Sequence, residues 1–254
     1  MSSGPRFSSR SPFSPFDFLL STSSAKARRA FTLLELLVVI GIISILLVAV
    51  IPAVTSLSKS NSLNTGGRLI SNILTSARSE AINQRRLIQV RIVTKWLKSS
   101  GGEDLSASYR KFSVWRLPQP DDTQQSSNPN DPYVQISKWE TLPTGATFET
   151  DVSTYSLPTV TTDPRYPGTY FLDPSLTNRR TTVKVPNGTA DIAWIEFTST
   201  GAMSLSGSTP SKVYVLLTEG FWNGTSTTYT HANHPNWLIT TVDTLIGRIN
   251  ILRP

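Results

Sequence analysis

Cysteine is absent from this 254-residue chain. Disulfides, thiolate metal sites and a thiol nucleophile are excluded with it. A body of this size buries a sufficient core without such staples. Histidine is almost absent too: His231 and His234 are the only two, both within THANHPNW. Their spacing would suit two ligands on one helical face. Asn233 and Pro235 predict a loop instead, and no carboxylate cluster stands beside them to complete a metal site. There is no P-loop, no dinucleotide fingerprint and no G-x-S-x-G elbow. The expectation is a protein that is not an enzyme, with no catalytic residue, no metal and no cofactor.

Charge is sparse, at 16% of residues against 38% hydrophobic. The net charge is +7, and its location matters more than its size. Arg6, Arg10, Lys26, Arg28 and Arg29 against Asp17 alone give residues 1–30 four of those seven charges. The remainder is mildly basic, which by itself does not argue for nucleic acid. Residues Ser2–Ser24 are rich in Ser, Pro and Phe and read as a disordered front.

What the chain does have is one long apolar run, Leu33–Val54, just after Lys26, Arg28 and Arg29. About 22 residues at ~1.5 Å rise make a helix of roughly 33 Å, enough for a bilayer core. The preceding cations predict a cytoplasmic N-terminal side and transfer of everything beyond Val54 across the membrane. A buried core helix would rarely be so evenly apolar. A secretory signal peptide would want a small-x-small cleavage site, and Val50, Ile51 and Pro52 spoil the one that Ala49 and Ala53 suggest. Neither alternative explains Glu35, a carboxylate near the start of the run.

The stretch Ala30-Phe31-Thr32-Leu33-Leu34-Glu35-Leu36-Leu37-Val38-Val39-Ile40 resembles the prepilin N-terminal motif of type IV pilins and type II secretion pseudopilins. In that family a membrane aspartyl peptidase removes a basic leader and methylates the new N-terminal amine. The resemblance implies a cut between Ala30 and Phe31. Glu35 then becomes the fifth mature residue and Pro52 the twenty-second, where the family commonly carries these two. The residue before the cut is usually glycine in the family; Ala30 is still small. A lone carboxylate at membrane depth costs a few kcal/mol and calls for a partner. The expected partner is the Phe31 amine of an adjacent subunit, which makes Glu35 an assembly residue. Stabilisation by the positive end of its own helix is the alternative. Gly41 and Pro52 are expected to be points of bending when subunits pack.

Beyond Pro52 the polar segment Ser56–Gly67 predicts a soft point at Gly66-Gly67. Leu69, Ile70, Ile73, Leu74, Ala77, Ala81 and Ile82 then recur at three and four, the stripe of an amphipathic helix ending near Arg85-Arg86. The rest alternates as strands do. Candidates are Leu87–Leu97, Tyr109–Leu117, Tyr133–Thr141, Thr147–Thr150, Thr181–Val185, Ile192–Thr198, Lys212–Thr218, Trp237–Val242 and Arg248–Leu252, with SSGGED as a turn. Helix first and strands after predict an α+β protein. Its long N-terminal helix, the first half transmembrane, packs on an antiparallel, sandwich-like β body. Residues 1–30 form the leader, 31–86 the helix with its membrane part at 33–54, and 87–254 the body.

Leu69–Ile92, with Ala77-Arg78 and Ala81, resembles the helix-to-strand passage of the GspH/FimT group of minor pseudopilins. Ile195-Glu196-Phe197 followed by Gly201 resembles that group's later strand and turn. The ending Val242–Pro254, with Ile246-Gly247-Arg248 and a terminal Arg-Pro, is similar to the closing hairpin of the Verru_Chthon cassette protein D set. These resemblances imply a minor pilin or pseudopilin. Its partners would be other such subunits, a prepilin peptidase and an inner-membrane assembly platform with its ATPase. It would be single-pass in a bacterial inner membrane, with a periplasmic body that can enter a filament. Two other readings remain. Arg248 and Arg253 resemble the basic tail of DNA-uptake minor pilins, although Asn250 stands where a further arginine would be wanted and phosphate binding needs several cations. A membrane-anchored envelope protein that never polymerises is the third.

Overall fold

A computed structural model of the chain describes residues 31–123, 131–150, 169–172, 179–204, 212–229 and 236–252, with backbone alone for 48–60 and 169. The expected leader 1–30, the loop 152–168, His231, His234 and Arg253 lie outside the described residues. The chain divides into two units, Met1–Val48 and Ala49–Pro254. Helix α1, Leu33–Gln84, begins in the first and ends in the second, and is helical through both Gly41 and Pro52.

In the first unit α1 has no polar face. Leu33, Leu34, Leu36, Leu37, Val38, Val39, Ile40, Ile42, Ile43, Ile45, Leu46 and Leu47 are all exposed. Ser44, among them, turns its hydroxyl back to the Ile40 carbonyl at 2.8 Å, the same back-bond that exposed Thr75 makes to Ser71 further along the helix. Among the described residues no helix is long and apolar enough to cross a membrane. The side chains described for the expected span 33–54 stop at Leu47, short of its Val54 end.

In the second unit the helix changes character. Leu63, Ile70, Leu74, Ala77 and Ala81 are buried while Arg68, Asn72, Thr75 and Ser79 face outward, an apolar stripe at helical spacing. Leu69 and Ile73 pack at its margin, but Ile82, expected on the same face, is exposed. The soft point expected at Gly66-Gly67 is not one. Both glycines are helical and buried. A Cβ on Gly67 would lie 2.5 Å from Leu238 Cδ1, so glycine is there for close packing. The helix ends in a Schellman motif: Arg85 takes φ +52°, and Arg86 N–H reaches Ala81 O at 3.1 Å.

Two six-stranded sheets follow. The first has β1 (Ile88–Lys98), β2 (Lys111–Arg116), β3 (Val134–Gln135), β4 (Glu140–Thr141), β7 (Arg180–Val185) and β8 (Gly188–Phe197), in order β3-β2-β1-β8-β7 with β4 also on β2. The second has β5 (Ala146–Phe148), β6 (Thr169–Tyr170), β9 (Lys212–Trp222), β10 (Thr227–Tyr229), β11 (Trp237–Asp243) and β12 (Ile249–Leu252), all gathered on β9 except β12, which pairs with β11. The pairings are antiparallel apart from β6 with β9, which is parallel. The single strand expected over Tyr133–Thr141 is broken into β3 and β4. Between them the Ser137 hydroxyl, rather than a carbonyl, takes the Val114 N–H at 2.7 Å. The two-residue β6 and three-residue β10 were not expected from the sequence; both are too short for alternation to show.

One apolar core joins the helix stripe to Ile88, Val90, Ile92, Phe112, Val114, Ala193, Ile195 and Phe197 of the first sheet and to Val213, Val215, Leu217, Leu238, Ile239 and Val242 of the second. Side chains of this size contribute roughly 1.5–3 kcal/mol each when fully buried. The helix end is fixed to β2 by Asp122, whose carboxylate takes Arg86 at 2.6 Å, Arg116 at 3.3 Å and the Gln119 N–H at 2.8 Å.

The two glycines predict opposite outcomes. A Cβ on Gly66 finds only ordinary contacts from 3.5 Å, so Gly66→Ala should stabilise by up to about 1 kcal/mol through helix propensity. Gly67→Ala must displace Leu238 and should lose about 1–2 kcal/mol net in urea unfolding. The Gln119 N–H, and then Arg86 and Arg116, hold the Asp122 carboxyl below its usual value. Its folded pKa lies below the unfolded one, so it stabilises the fold above about pH 4 and the contribution disappears as pH falls through the folded value. Asp122→Asn should therefore flatten the acid limb of a stability-versus-pH curve.

Candidate functional site

The residues singled out in the sequence fall at two places. The first is the start of α1. Thr32 and Glu35 form a reciprocal capping box. Glu35 N–H donates to Thr32 Oγ1 at 3.1 Å, while Thr32 N–H and its hydroxyl donate to Glu35 Oε2 at 2.9 and 3.0 Å. The carboxylate is thus held at the positive end of its own helix. Its second oxygen, Oε1, meets no donor among the described residues. Phe31 is 78% exposed beside it. A Cβ on Gly41 would meet nothing within 4 Å, so that face is bare. Of the other expected positions, Ala30 lies outside the described residues, and for Pro52 only the backbone is described. The T-x-x-E spacing of a capping box was legible in the sequence, yet the role of Thr32 was not read from it.

The second place unites three fragments far apart in the chain. Arg78 shares its Nε–H between Gly201 O at 3.2 Å and Ile246 O at 3.1 Å. Gly201 sits at φ +79° in the turn after β8, and Gly247 at φ +64° in the turn between β11 and β12. A Cβ on Gly247 would come within 1.9 Å of Gly201 O, so this turn admits only glycine. Asp243 shapes the same turn, accepting the Leu245 and Ile246 N–H groups at 3.0 and 3.2 Å. One helix arginine therefore ties α1 to a turn of each sheet. Arg248 follows the turn and is exposed. With Arg253 outside the described residues, the two are not brought together as a cationic pair.

A third arrangement was not anticipated. Arg91, fully buried on the face of β1 away from the main core, makes a two-pronged ion pair with Asp131 at 2.5 and 2.7 Å. Its guanidinium lies 4.2 Å over the Trp115 ring and 5.1 Å from Tyr133. Gln89 accepts its Nε–H at 2.8 Å and donates to Glu196 at 2.8 Å, while the Tyr133 hydroxyl donates to Glu196 as well. Burial, then Glu196, pushes the Tyr133 hydroxyl well above its usual range. Arg91 and Asp131 answer each other, while the Glu196 carboxylate is met by the neutral donors Gln89 and Tyr133, so the network is closed by hydrogen bonds. Alternation alone could not reveal it, because both faces of a central strand are covered. Among the described residues no group of three or more His, Asp or Glu could hold a metal.

Residues 25–51 match the family model of the prokaryotic N-terminal methylation motif. The matched stretch includes Ala30, Phe31, Glu35 and Gly41 and stops one residue before Pro52. It supports a type IV pilin-like protein. No curated protein and no solved structure matches the chain.

Replacing Arg78 by Ala should cost about 1 kcal/mol in urea unfolding, the worth of a charged donor shared between one part-buried and one exposed carbonyl. Amide exchange should rise first in the turns at 199–203 and 244–248.

Proposed function

We propose that this chain is a pilin-like precursor, cut between Ala30 and Phe31 and built as a structural subunit into a type IV pilus or a type II secretion-like pseudopilus. The observation that carries this reading is an unpartnered helix surface, apolar all round, that starts at a capped carboxylate inside a methylation motif. In water such a surface is costly. Lipid covers it before assembly, and the like helices of other subunits cover it afterwards. The basic residues before the cut keep the N-terminal side in the cytoplasm and place the β body in the periplasm.

Assembly turns on the acid. Cutting before Phe31 makes a new ammonium next to the capping box. Within one chain Thr32 already occupies Oε2. Oε1 can accept the Phe31 amine of a neighbouring subunit without undoing the cap. Each subunit then offers one amine and one carboxylate, and the pair sets the axial register of adjacent helices, as charged pairs do best where water is absent. A prepilin peptidase and an inner-membrane platform with its ATPase are the partners this requires.

Mass spectrometry of the protein recovered from membranes should give Phe31 as the first residue, carrying one methyl group. Recovery with Met1 attached, or cut beyond Glu35, would overturn the reading. Glu35→Leu should leave cutting and membrane retention intact while incorporation into filaments drops below detection.

A further inference from the structure

We infer that the groove between the β1–β2 turn and the β7–β8 turn is a binding site for an acidic saccharide. It rests on the second unit alone and is independent of the pilin-like reading. The groove encloses about 660 Å³ and is lined by Trp96, Trp139, Lys98, Lys111, Asp104 and Asn187, among others.

Its walls are preformed. Ser99 N–H donates to Asn187 O at 2.8 Å and so ties the two turns together. A Cβ on Gly188 would fall 1.8 Å from Leu97 O, so the turns approach as closely as backbone allows. Asp104 N–H returns to Trp96 O at 2.8 Å, and the Asp104 carboxylate takes the Ser106 N–H at 3.1 Å and the Ser106 hydroxyl at 2.7 Å. The two turns and the Asp104 carboxylate are therefore held in position before any ligand arrives.

The lining combines two chemistries. Four of the six tryptophans, Trp96, Trp115, Trp139 and Trp194, belong to this side of the first sheet. Trp139 meets Trp96 edge-on at 5.7 Å and Trp115 at 6.3 Å, and it is partly exposed into the groove. Around this aromatic surface stand two cations and one anion. Lys98 is half exposed and only loosely paired with Asp104, at 3.9 Å. Lys111 makes no ion pair among the described residues; its Nζ lies 4.4 Å over the Trp96 ring. Asp104 thus serves both lysines, and the three together leave the groove with a net positive charge.

A sugar ring fits both features. Its C–H face suits the ring of Trp139, the partly exposed one, since Trp96 is buried beneath Lys111, while its in-plane hydroxyls meet a carboxylate and an amide. A carboxylate or sulfate on that ring would answer the surplus lysine charge. An acidic peptide fits less well. The backbone of β1 at the groove is already paired on both sides, Leu97 with Thr189 and Glu103 and Lys98 with Gly188 and Gly102. No free ladder is left for an added strand.

The test is tryptophan fluorescence titration of the full-length protein in detergent. The probes are an oligogalacturonate, a heparin tetrasaccharide, a neutral maltotetraose and polyglutamate. Saturable binding of either acidic saccharide, weakening as salt rises, is expected. Lys98→Glu, at a half-exposed side chain, should weaken it about tenfold with the thermal midpoint unchanged. Trp139→Leu should abolish it. The inference is overturned by absence of saturable binding to both acidic saccharides, or by maltotetraose or polyglutamate binding as tightly. An indifferent Lys98→Glu would overturn it equally.

Discussion

A helix with no polar face has to be covered, and residues 33–47 of α1 are exposed on every side. The acid at the start is tied into a capping box, and the serine in the middle bonds back to its own helix. Both polar side chains thus find a partner within the helix, although Glu35 keeps its second oxygen free among the described residues. The same helix obeys another rule further on, where Leu63, Ile70, Leu74, Ala77 and Ala81 form a single stripe against the sheets. One element thus carries two surfaces, one that needs an environment from outside the chain and one that is completed by the fold.

Completion in the second unit depends on close approach. Gly67 lets the helix backbone come against Leu238 of β11, while Arg78 reaches the carbonyls of Gly201 and Ile246. Contacts of this kind are intolerant, since an interior packed like a crystal gives little when a methyl group is added. They also define where the helix ends. The Schellman turn at Arg85 and Arg86 delivers the chain into β1, and Asp122 gathers Arg86 and Arg116 at the same corner.

The far face of the first sheet is organised differently. It buries charge, with Arg91 and Asp131 paired between aromatic rings, and it ends in the Trp96–Trp139 groove. A buried ion pair is weak evidence of stability, because desolvation offsets much of the attraction. It does specify position: a guanidinium gripped at both prongs fixes the segment that carries Asp131 and Tyr133 on the sheet. That segment leads on to Trp139, which forms one side of the groove.

The sequence by itself determined the elements whose pattern is local. The apolar run, the acid at its start, the helical stripe and most strands were legible, because periodicity depends only on neighbours along the chain. The N-terminal motif was legible for the same reason, as its spacing lies within eleven residues. Tertiary structure decided what depends on residues far apart. It turned the apparent soft point at Gly66-Gly67 into a packing surface, split Tyr133–Thr141 at Ser137 and left Ile82 exposed. It also joined Arg78, Gly201 and Gly247, which three separate resemblances had marked without relation, into one clamp. A close approach or a shared hydrogen bond has no period along the chain; it exists only once the two partners have been brought together.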